Sequence, residues 1–167
     1  MSLTPFTGNF TQQESISDSA IAAAMDVLRS GRLHRYNTAE DEVSQTAQLE
    51  TEYAAWQGSK YCLACTSGGY ALSTALKAAG LEMGEQVLTN SFTLAPVPGA
   101  IVNAGGQPVF VEVTDNLVID LVNLEAKAQS SGARFFMLSH MRGHLADMDR
   151  IMEVVTAHNL ILIEDCA

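Results

Sequence analysis

The part of the sequence after Gly58 alternates short, almost wholly apolar runs with longer segments of helical character. The apolar runs are YCLAC (61–65), QVLT (86–89), PVFVEV (108–113), RFFMLS (134–139) and LILIE (160–164). Strands that read as continuous apolar runs are typical of parallel sheets, which are covered on both faces by their connecting helices. The alternation therefore predicts an α/β fold, with a mainly parallel sheet in a three-layer α/β/α arrangement.

Helical periodicity and glycine stops predict six helices. Two lie ahead of the sheet, over 15–31 and 46–58. Four lie between or beside the strands, over 68–80, 95–105, 121–132 and 147–159. We predict a domain boundary after residue 32, with an N-terminal helical segment over 1–32 and the larger domain over 33–167.

Charge and cysteine content exclude several classes of protein. The 167 residues include 19 acidic and nine basic side chains, a formal net charge of −10, which repels nucleic acid and anionic lipid surfaces. No segment reaches the roughly 18 consecutive apolar residues needed to span a bilayer. Three cysteines indicate a reducing compartment rather than a disulfide framework. A soluble cytoplasmic protein is the simplest prediction.

Cys62 and Cys65 stand at a spacing found in zinc sites and in thiol redox motifs. A structural zinc site needs about four ligands, and His140 with His144 is a poor match for the second pair. Both cysteines also lie inside the predicted strand 61–65, three residues apart and hence on opposite faces. We favour a packing role for them, with metal and redox roles as the alternatives.

The turn Ser67-Gly68-Gly69 follows the first predicted strand and precedes a predicted helix. Unpaired backbone N–H groups and the positive end of the helix dipole would then lie at the carboxyl edge of the sheet, where they can bind phosphate. Glycine permits close approach of an anion, and the Ser67 hydroxyl adds a donor. The alternative is that Ser67 is only a helix cap and the glycines only form a tight turn.

Asp165 leaves the last apolar run at the same edge, where ligands bind in open α/β sheets. A carboxylate there needs a positive partner, such as a protonated pyridine nitrogen, a metal ion or an arginine, unless it is solvated or caps a helix. Glu164 points to the opposite face and is expected to be structural. His140, after the fourth run, either contacts a substrate or shapes its turn.

Three segments carry a family resemblance: LETEYAAWQG through PVFVEV (49–113), SHMRGHLADMDRI (139–151) and LILIEDCA (160–167). Together they resemble the DegT/DnrJ/EryC1/StrS family of pyridoxal-phosphate (PLP) sugar aminotransferases, members of the aspartate aminotransferase superfamily of fold type I. The likeness runs from about Gly31 to Ala167. It implies that the sheet is part of the large, PLP-binding domain of such an enzyme.

The resemblance also implies roles for single residues. Ser67, Gly68 and Gly69 are similar to the family's Ser-Gly-Thr turn, which holds the PLP phosphate, with Gly69 in place of the threonine. Asp165 resembles the aspartate that pairs with the protonated pyridine nitrogen, a catalytic and cofactor-binding role. The segment SFTLAP resembles the loop whose aromatic residue stacks on the pyridine ring, which places Leu94 against that ring.

In this family a lysine beyond the motif that EDCA resembles forms the Schiff base with PLP. The lysines of this sequence, Lys60, Lys77 and Lys127, do not correspond to it. We therefore expect an N-terminal fragment, inactive by itself, in which the region of the catalytic lysine and the C-terminal small domain are absent.

For the parent protein, the resemblance implies transamination of a nucleotide-linked keto sugar, with glutamate or glutamine as amino donor. The product would serve cell-surface polysaccharide or secondary-metabolite synthesis. A homodimer is expected, because family members generally form dimers. The alternatives are a sugar 3-dehydratase of the same family, in which histidine replaces the lysine, and a non-catalytic half-domain.

Overall fold

The computed structural model describes residues 7–9, 11 and 13–166. The chain divides after Ala64 into two compact units, each of which is described by itself. The predicted domain boundary after residue 32 stays a prediction. No helix in the described ranges combines the length and apolar character that crossing a bilayer requires.

The first unit contains two helices, α1 (Asp18–Ser30) and α2 (Gln45–Gln57), both close to their predicted bounds. Each begins after a serine whose hydroxyl accepts a backbone N–H bond, and each ends at a glycine in the left-handed conformation. These caps are Ser17 and Gly31 for α1, and Ser44 and Gly58 for α2.

The first apolar run, residues 61–65, is not a strand, and that prediction was wrong. Within the described part of the chain no strand pairs with it, and an apolar sequence forms a strand only where a neighbour completes the ladder. Its backbone is held differently, since Ala64 N–H donates to Glu50 Oε1 over 2.9 Å. Arg35 holds the same carboxylate through two bonds of 2.9 and 2.7 Å, which keep the pKa of Glu50 below its usual value.

This difference also changes the interpretation of the two neighbouring cysteines. Cys62 and Cys65 are half-buried and lie outside any strand. The prediction that they occupy opposite faces of a strand was therefore wrong in its premise, because the alternation of faces holds only for extended, paired backbone.

The second unit alternates helices and strands as the sequence predicts. Its elements are α3 (Gly68–Ala78), β1 (Gln86–Asn90), α4 (Pro96–Ala104), β2 (Gln107–Val111), α5 (Leu121–Ser131), β3 (Phe135–Ser139), α6 (Met148–Ala157) and β4 (Ile161–Asp165), with a short 3-10 turn at Met141–Gly143. The strands pair in the order β2-β1-β3-β4, and every pairing is parallel. The predicted α/β class with a parallel sheet is confirmed.

Two apolar cores cover the two faces of this sheet, as the alternation of side chains along a strand requires. One core joins α3 and α4 to strand residues that include Val87, Phe135, Met137 and Ile163. The other joins α5 and α6 to strand residues that include Leu88, Phe136, Leu138 and Leu162. Helices therefore pack on both faces, which confirms the three-layer arrangement.

Replacement of a fully buried ring in the sheet tests this packing. Phe136 is buried against α5 and α6, and Phe136→Ala removes its contacts and leaves a cavity, for which we expect a loss of about 3–5 kcal/mol in unfolding free energy. Phe110→Ala on β2 is the matched control, because Phe110 is 44% exposed and its loss should cost clearly less. Urea unfolding followed by circular dichroism measures both, and equal losses would contradict the burial of Phe136 in this core.

Candidate active site

The strand order changes direction between β1 and β3. The connection after β1 leads outward to β2, whereas the connection after β2 returns past β1 to β3 on its other side. The helices of these connections, α4 and α5, pack on opposite faces of the sheet. Ligands of open parallel sheets bind outside the carboxyl ends of the strands at such a point. The candidate site therefore lies where β1 and β3 end.

Asn90 joins the two strands at this point. Its side-chain Oδ1 accepts the Ser139 N–H over 2.9 Å, and its Nδ2 donates to the Ser139 carbonyl over 3.1 Å. The same Nδ2 donates to the Phe92 carbonyl over 2.8 Å, which fixes the start of the loop after β1. Asn90 is 3% exposed. One buried amide thus sets the position of β3 and of that loop.

Ser139 continues the arrangement to the last strand. Its hydroxyl donates to Asp165 Oδ2 over 2.9 Å, and Ser139 stands opposite Asp165 in the register of β3 and β4. Asp165 is two residues beyond Ile163, and Ser139 is two beyond Met137, so both side chains lie on the α3/α4 face. The predicted site residue Asp165 therefore reaches the carboxyl edge on a defined face.

The predicted turn lies at the start of α3. Ser67 is the N-cap, with its hydroxyl accepting the Tyr70 N–H over 3.2 Å. The cap itself is therefore present, while phosphate binding by this turn, and the alternative that Ser67 serves only as a cap, stay predictions. Gly68 and Gly69 form the first turn. A Cβ added at Gly68 would meet nothing within 4 Å, and one at Gly69 would be 3.9 Å from Pro96 Cβ, an ordinary contact.

Leu94 lies in the loop between β1 and α4 and is 55% exposed. Its carbonyl accepts the Val97 N–H over 3.0 Å, so the loop runs directly into α4. Among the described hydrogen bonds, Asp165 is joined to Ser139 but not to Ser67 or Leu94. The fold brings these residues to one edge of the sheet without direct bonds between them.

Two threonine hydroxyls near this edge are buried without a hydrogen-bond partner in the described ranges, those of Thr89 and Thr93. Thr89 is two residues beyond Val87 and hence on the α3/α4 face, as Asp165 is. A buried hydroxyl without a partner costs free energy, and such groups are often completed by a ligand or by water.

The other face of the same edge carries a separate group. His140 is 5% exposed, and its Nε2 lies 2.8 Å from Glu164 Oε2. Cys166 lies close by, with the ligand atoms of the three side chains within 4.8 Å of one another. Glu164 thus lies on the opposite face from Asp165, as predicted, and its structural role stays a prediction. Burial, followed by the charges of Glu164 and Asp165, raises the pKa of the Cys166 thiol.

Sequence reasoning did not identify Asn90, Ser139 or the two threonines as site residues. The signal was present, because Asn90 and Ser139 are polar residues at the carboxyl ends of otherwise apolar strands, where ligands bind. Their pairing across 49 residues of sequence depends on the strand order, which the sequence pattern does not contain.

Removal of the Asn90 side chain should destabilise the sheet edge. Asn90→Ala leaves the Ser139 N–H and carbonyl and the Phe92 carbonyl without this partner, and we expect a loss of about 2–4 kcal/mol in unfolding free energy. Asn103→Ala is the control, because Asn103 is exposed and makes a side-chain bond of 3.3 Å to Ser73. Urea unfolding compares the two variants, and equal losses of unfolding free energy would contradict the stabilising role of the Asn90 hydrogen bonds.

The charge of Glu164 should slow the reaction of Cys166 with alkylating agents. A raised thiol pKa lowers the thiolate fraction at any given pH, and Glu164→Gln removes one negative charge, so alkylation by iodoacetamide at pH 8 should accelerate by roughly two- to threefold. Glu153→Gln, at an exposed site on α6, should leave the rate unchanged. Mass spectrometry of the C-terminal peptide gives the rate, and an unchanged rate in Glu164→Gln would remove the electrostatic explanation.

Comparisons with known proteins agree with this arrangement. The family model described as DegT/DnrJ/EryC1/StrS aminotransferase matches residues 14–167. A dTDP-3-amino-3,4,6-trideoxy-alpha-D-glucose transaminase of Micromonospora megalomicea subsp. nigra is 34% identical over 119 residues, which cover 71% of this chain and 32% of that protein. A pleiotropic regulatory protein of Geobacillus stearothermophilus is 32% identical over 157 residues, which cover 93% of this chain and 40% of that protein.

A solved structure, that of the aminotransferase from Psychrobacter cryohalolentis, superposes with a TM-score of 0.80 at 31% identity, covering 95% of this chain and 39% of that one. The chain thus spans about a third of the length of the curated relatives that it matches, from 29% to 40%. Since the family model matches nearly the whole sequence, the chain belongs to the DegT/DnrJ/EryC1/StrS aminotransferase family.

Proposed function

We propose that the protein to which this chain belongs is a PLP-dependent aminotransferase of nucleotide-linked keto sugars, with glutamate or glutamine as amino donor. The name of the Micromonospora relative, a transaminase for a dTDP-linked amino sugar, supports this substrate class. Within that enzyme, the chain would form the part of the large domain that binds the cofactor.

The observation that carries the proposal is the shared position of a helix N-terminus and a carboxylate. α3 covers the face of the sheet on which Asp165 lies. Its first turn lies at the carboxyl edge, because Gly69 is next to Pro96 at the start of α4. At its other end, the Gly80 carbonyl accepts Arg134 Nη2 over 2.9 Å, beside the start of β3. PLP has a phosphate at one end and a pyridine nitrogen on its ring. A helix N-terminus suits the phosphate, and a carboxylate suits the protonated nitrogen.

The glycines of the turn support the phosphate assignment. Neither Gly68 nor Gly69 has the positive φ that would require glycine, and a Cβ at either position would not clash with the chain itself. Their lack of side chains is therefore not needed for folding, whereas it permits close approach of an anion to the backbone. Ser67 would add its hydroxyl, and the buried hydroxyls of Thr89 and Thr93 offer further polar partners.

Bound PLP would supply an electron sink at the amino-bearing carbon of the substrate. The chain's own residues have simpler tasks. Asp165 would keep the ring nitrogen protonated by pairing with it, and Ser67, Gly68 and Gly69 would hold the phosphate. Leu94 would contact the ring as an aliphatic surface, which its exposure in the loop before α4 permits.

We further propose that the working enzyme is a homodimer, as expected for the family. We place it in the cytoplasm, because a chain with three cysteines suits a reducing compartment. The name of the Geobacillus relative, a pleiotropic regulatory protein, supports one other possibility, a role in regulation. The other alternative is a sugar 3-dehydratase of the same family, which would use the same cofactor with histidine in place of the Schiff-base lysine.

Titration of the chain with PLP, followed by equilibrium dialysis, tests the cofactor site. We expect Asp165→Ala to weaken binding by about ten- to a hundredfold, the value of a charge-assisted hydrogen bond, and Ser67→Ala by up to about tenfold. The exposed residues Asp149 and Ser130 provide matched controls, and their alanine variants should bind like the wild type.

Two results of this titration would contradict the proposal. If the wild-type chain binds no PLP in equilibrium dialysis, the regulatory alternative gains support. If it binds PLP but Asp165→Ala binds equally well, the cofactor lies elsewhere and the assignment of Asp165 is wrong.

A further inference from the structure

We infer that Ser139 is a positioning residue, which orients the Asp165 carboxylate towards the ring nitrogen of the cofactor; this inference rests on the proposed function. The carboxylate is half-buried at the end of β4, and its Oδ2 accepts the Ser139 hydroxyl over 2.9 Å. A carboxylate has two oxygens. With Oδ2 held by Ser139, Oδ1 is the oxygen that would accept the N–H of the pyridinium ring.

The direction of the hydrogen bond is determined by chemistry. An ionised carboxylate can only accept, so the serine hydroxyl must donate. Hydrogen bonds to a charged acceptor are stronger and more directional than neutral ones, and this bond therefore restricts rotation of the Asp165 side chain about its last torsion. Without it, the carboxylate of a strand-end aspartate would sample a broad range of orientations.

Ser139 can act in this way because its own backbone is fixed. The Asn90 side chain bonds to both its N–H and its carbonyl, and both residues are buried, with Ser139 6% exposed. In addition, a backbone–backbone bond from the His140 N–H to the Asp165 carbonyl, over 2.9 Å, holds the ends of β3 and β4 in register. The hydroxyl is thus presented to Asp165 from a rigid support, as a positioning residue requires.

The arrangement distinguishes Asp165 from Glu164, the neighbouring carboxylate. Glu164 points to the opposite face, where it contacts the His140 ring, and it is more exposed than Asp165. Only Asp165 receives a hydroxyl donor on the α3/α4 face. Ser139 therefore helps to define which of two adjacent carboxylates is presented to a ligand on that face.

The test compares Ser139→Thr with Ser139→Val, which have side chains of nearly the same shape and differ in a single hydroxyl. Both are β-branched and suit a strand, so any cost of the added bulk is shared. The probe is PLP labelled with ¹⁵N in its ring, added to the 167-residue chain. Equilibrium dialysis measures its affinity, and NMR measures the ¹⁵N chemical shift, which reports protonation of the ring nitrogen.

We expect Ser139→Val to weaken PLP binding by roughly three- to tenfold and to shift the ¹⁵N resonance towards that of the unprotonated ring. Ser139→Thr should keep the wild-type resonance and an affinity within about twofold of the wild type. Ser139→Ala should resemble Ser139→Val, and it replaces that variant if the larger side chain prevents folding. Ser73→Ala, which removes another buried serine hydroxyl, from α3, should change neither quantity.

Asp165→Asn separates the failure of this inference from the failure of the proposed function. If Asp165→Asn alters affinity and resonance but Ser139→Val and Ser139→Ala do not, the cofactor site stands and the role of Ser139 is refuted. If Asp165→Asn alters neither, the assignment of Asp165 is refuted and the inference falls with it. Equal effects of Ser139→Thr and Ser139→Val would show that shape, and not the hydroxyl, matters.

Discussion

The reversal of strand order between β1 and β3 is the constraint on which the rest of the second unit depends. Crossover connections between parallel strands are right-handed, so connections that run in opposite directions along the sheet must place their helices on opposite faces. That rule accounts for the two separate apolar cores, with α4 on one face and α5 on the other. At the carboxyl ends of β1 and β3, where ligands of such sheets bind, the Asn90 side chain joins the two strands through its bonds to the Ser139 backbone.

A phosphate site in this chain has to work against the overall charge. The formal net charge of −10 repels anions at long range, and such repulsion is screened by salt over about 10 Å. Backbone N–H groups at the start of α3 act only at short range, where they outweigh the distant field. The proposed site thus selects for a ligand that reaches the helix end directly, which suits a small cofactor better than a polyanion.

Much of this fold could be predicted, because helices and buried strands differ in the period of their apolar residues. β1, β3 and β4 lie within one residue of their predicted bounds. The prediction of a strand over 61–65 failed because an apolar sequence does not by itself supply a neighbouring strand to pair with. The Glu50 carboxylate accepts the Ala64 N–H instead. Asp165 could be placed at the edge by counting along an apolar run. Asn90 and Ser139 could not be paired in advance, because 49 residues and a strand reversal separate them.

The register of β3 with β4 has a consequence for how this edge can evolve. Ser139 stands opposite Asp165 and Leu138 opposite Glu164, so the two adjacent carboxylates belong to different faces of the sheet. Insertion or deletion of a single residue within β4 would exchange them, bringing the glutamate to the face of α3 and the aspartate to the side of α6. The length of β4 is therefore as much a part of the site as its side chains. Evolutionary change within β4 is therefore restricted to substitutions, whereas the loops that precede it can vary in length.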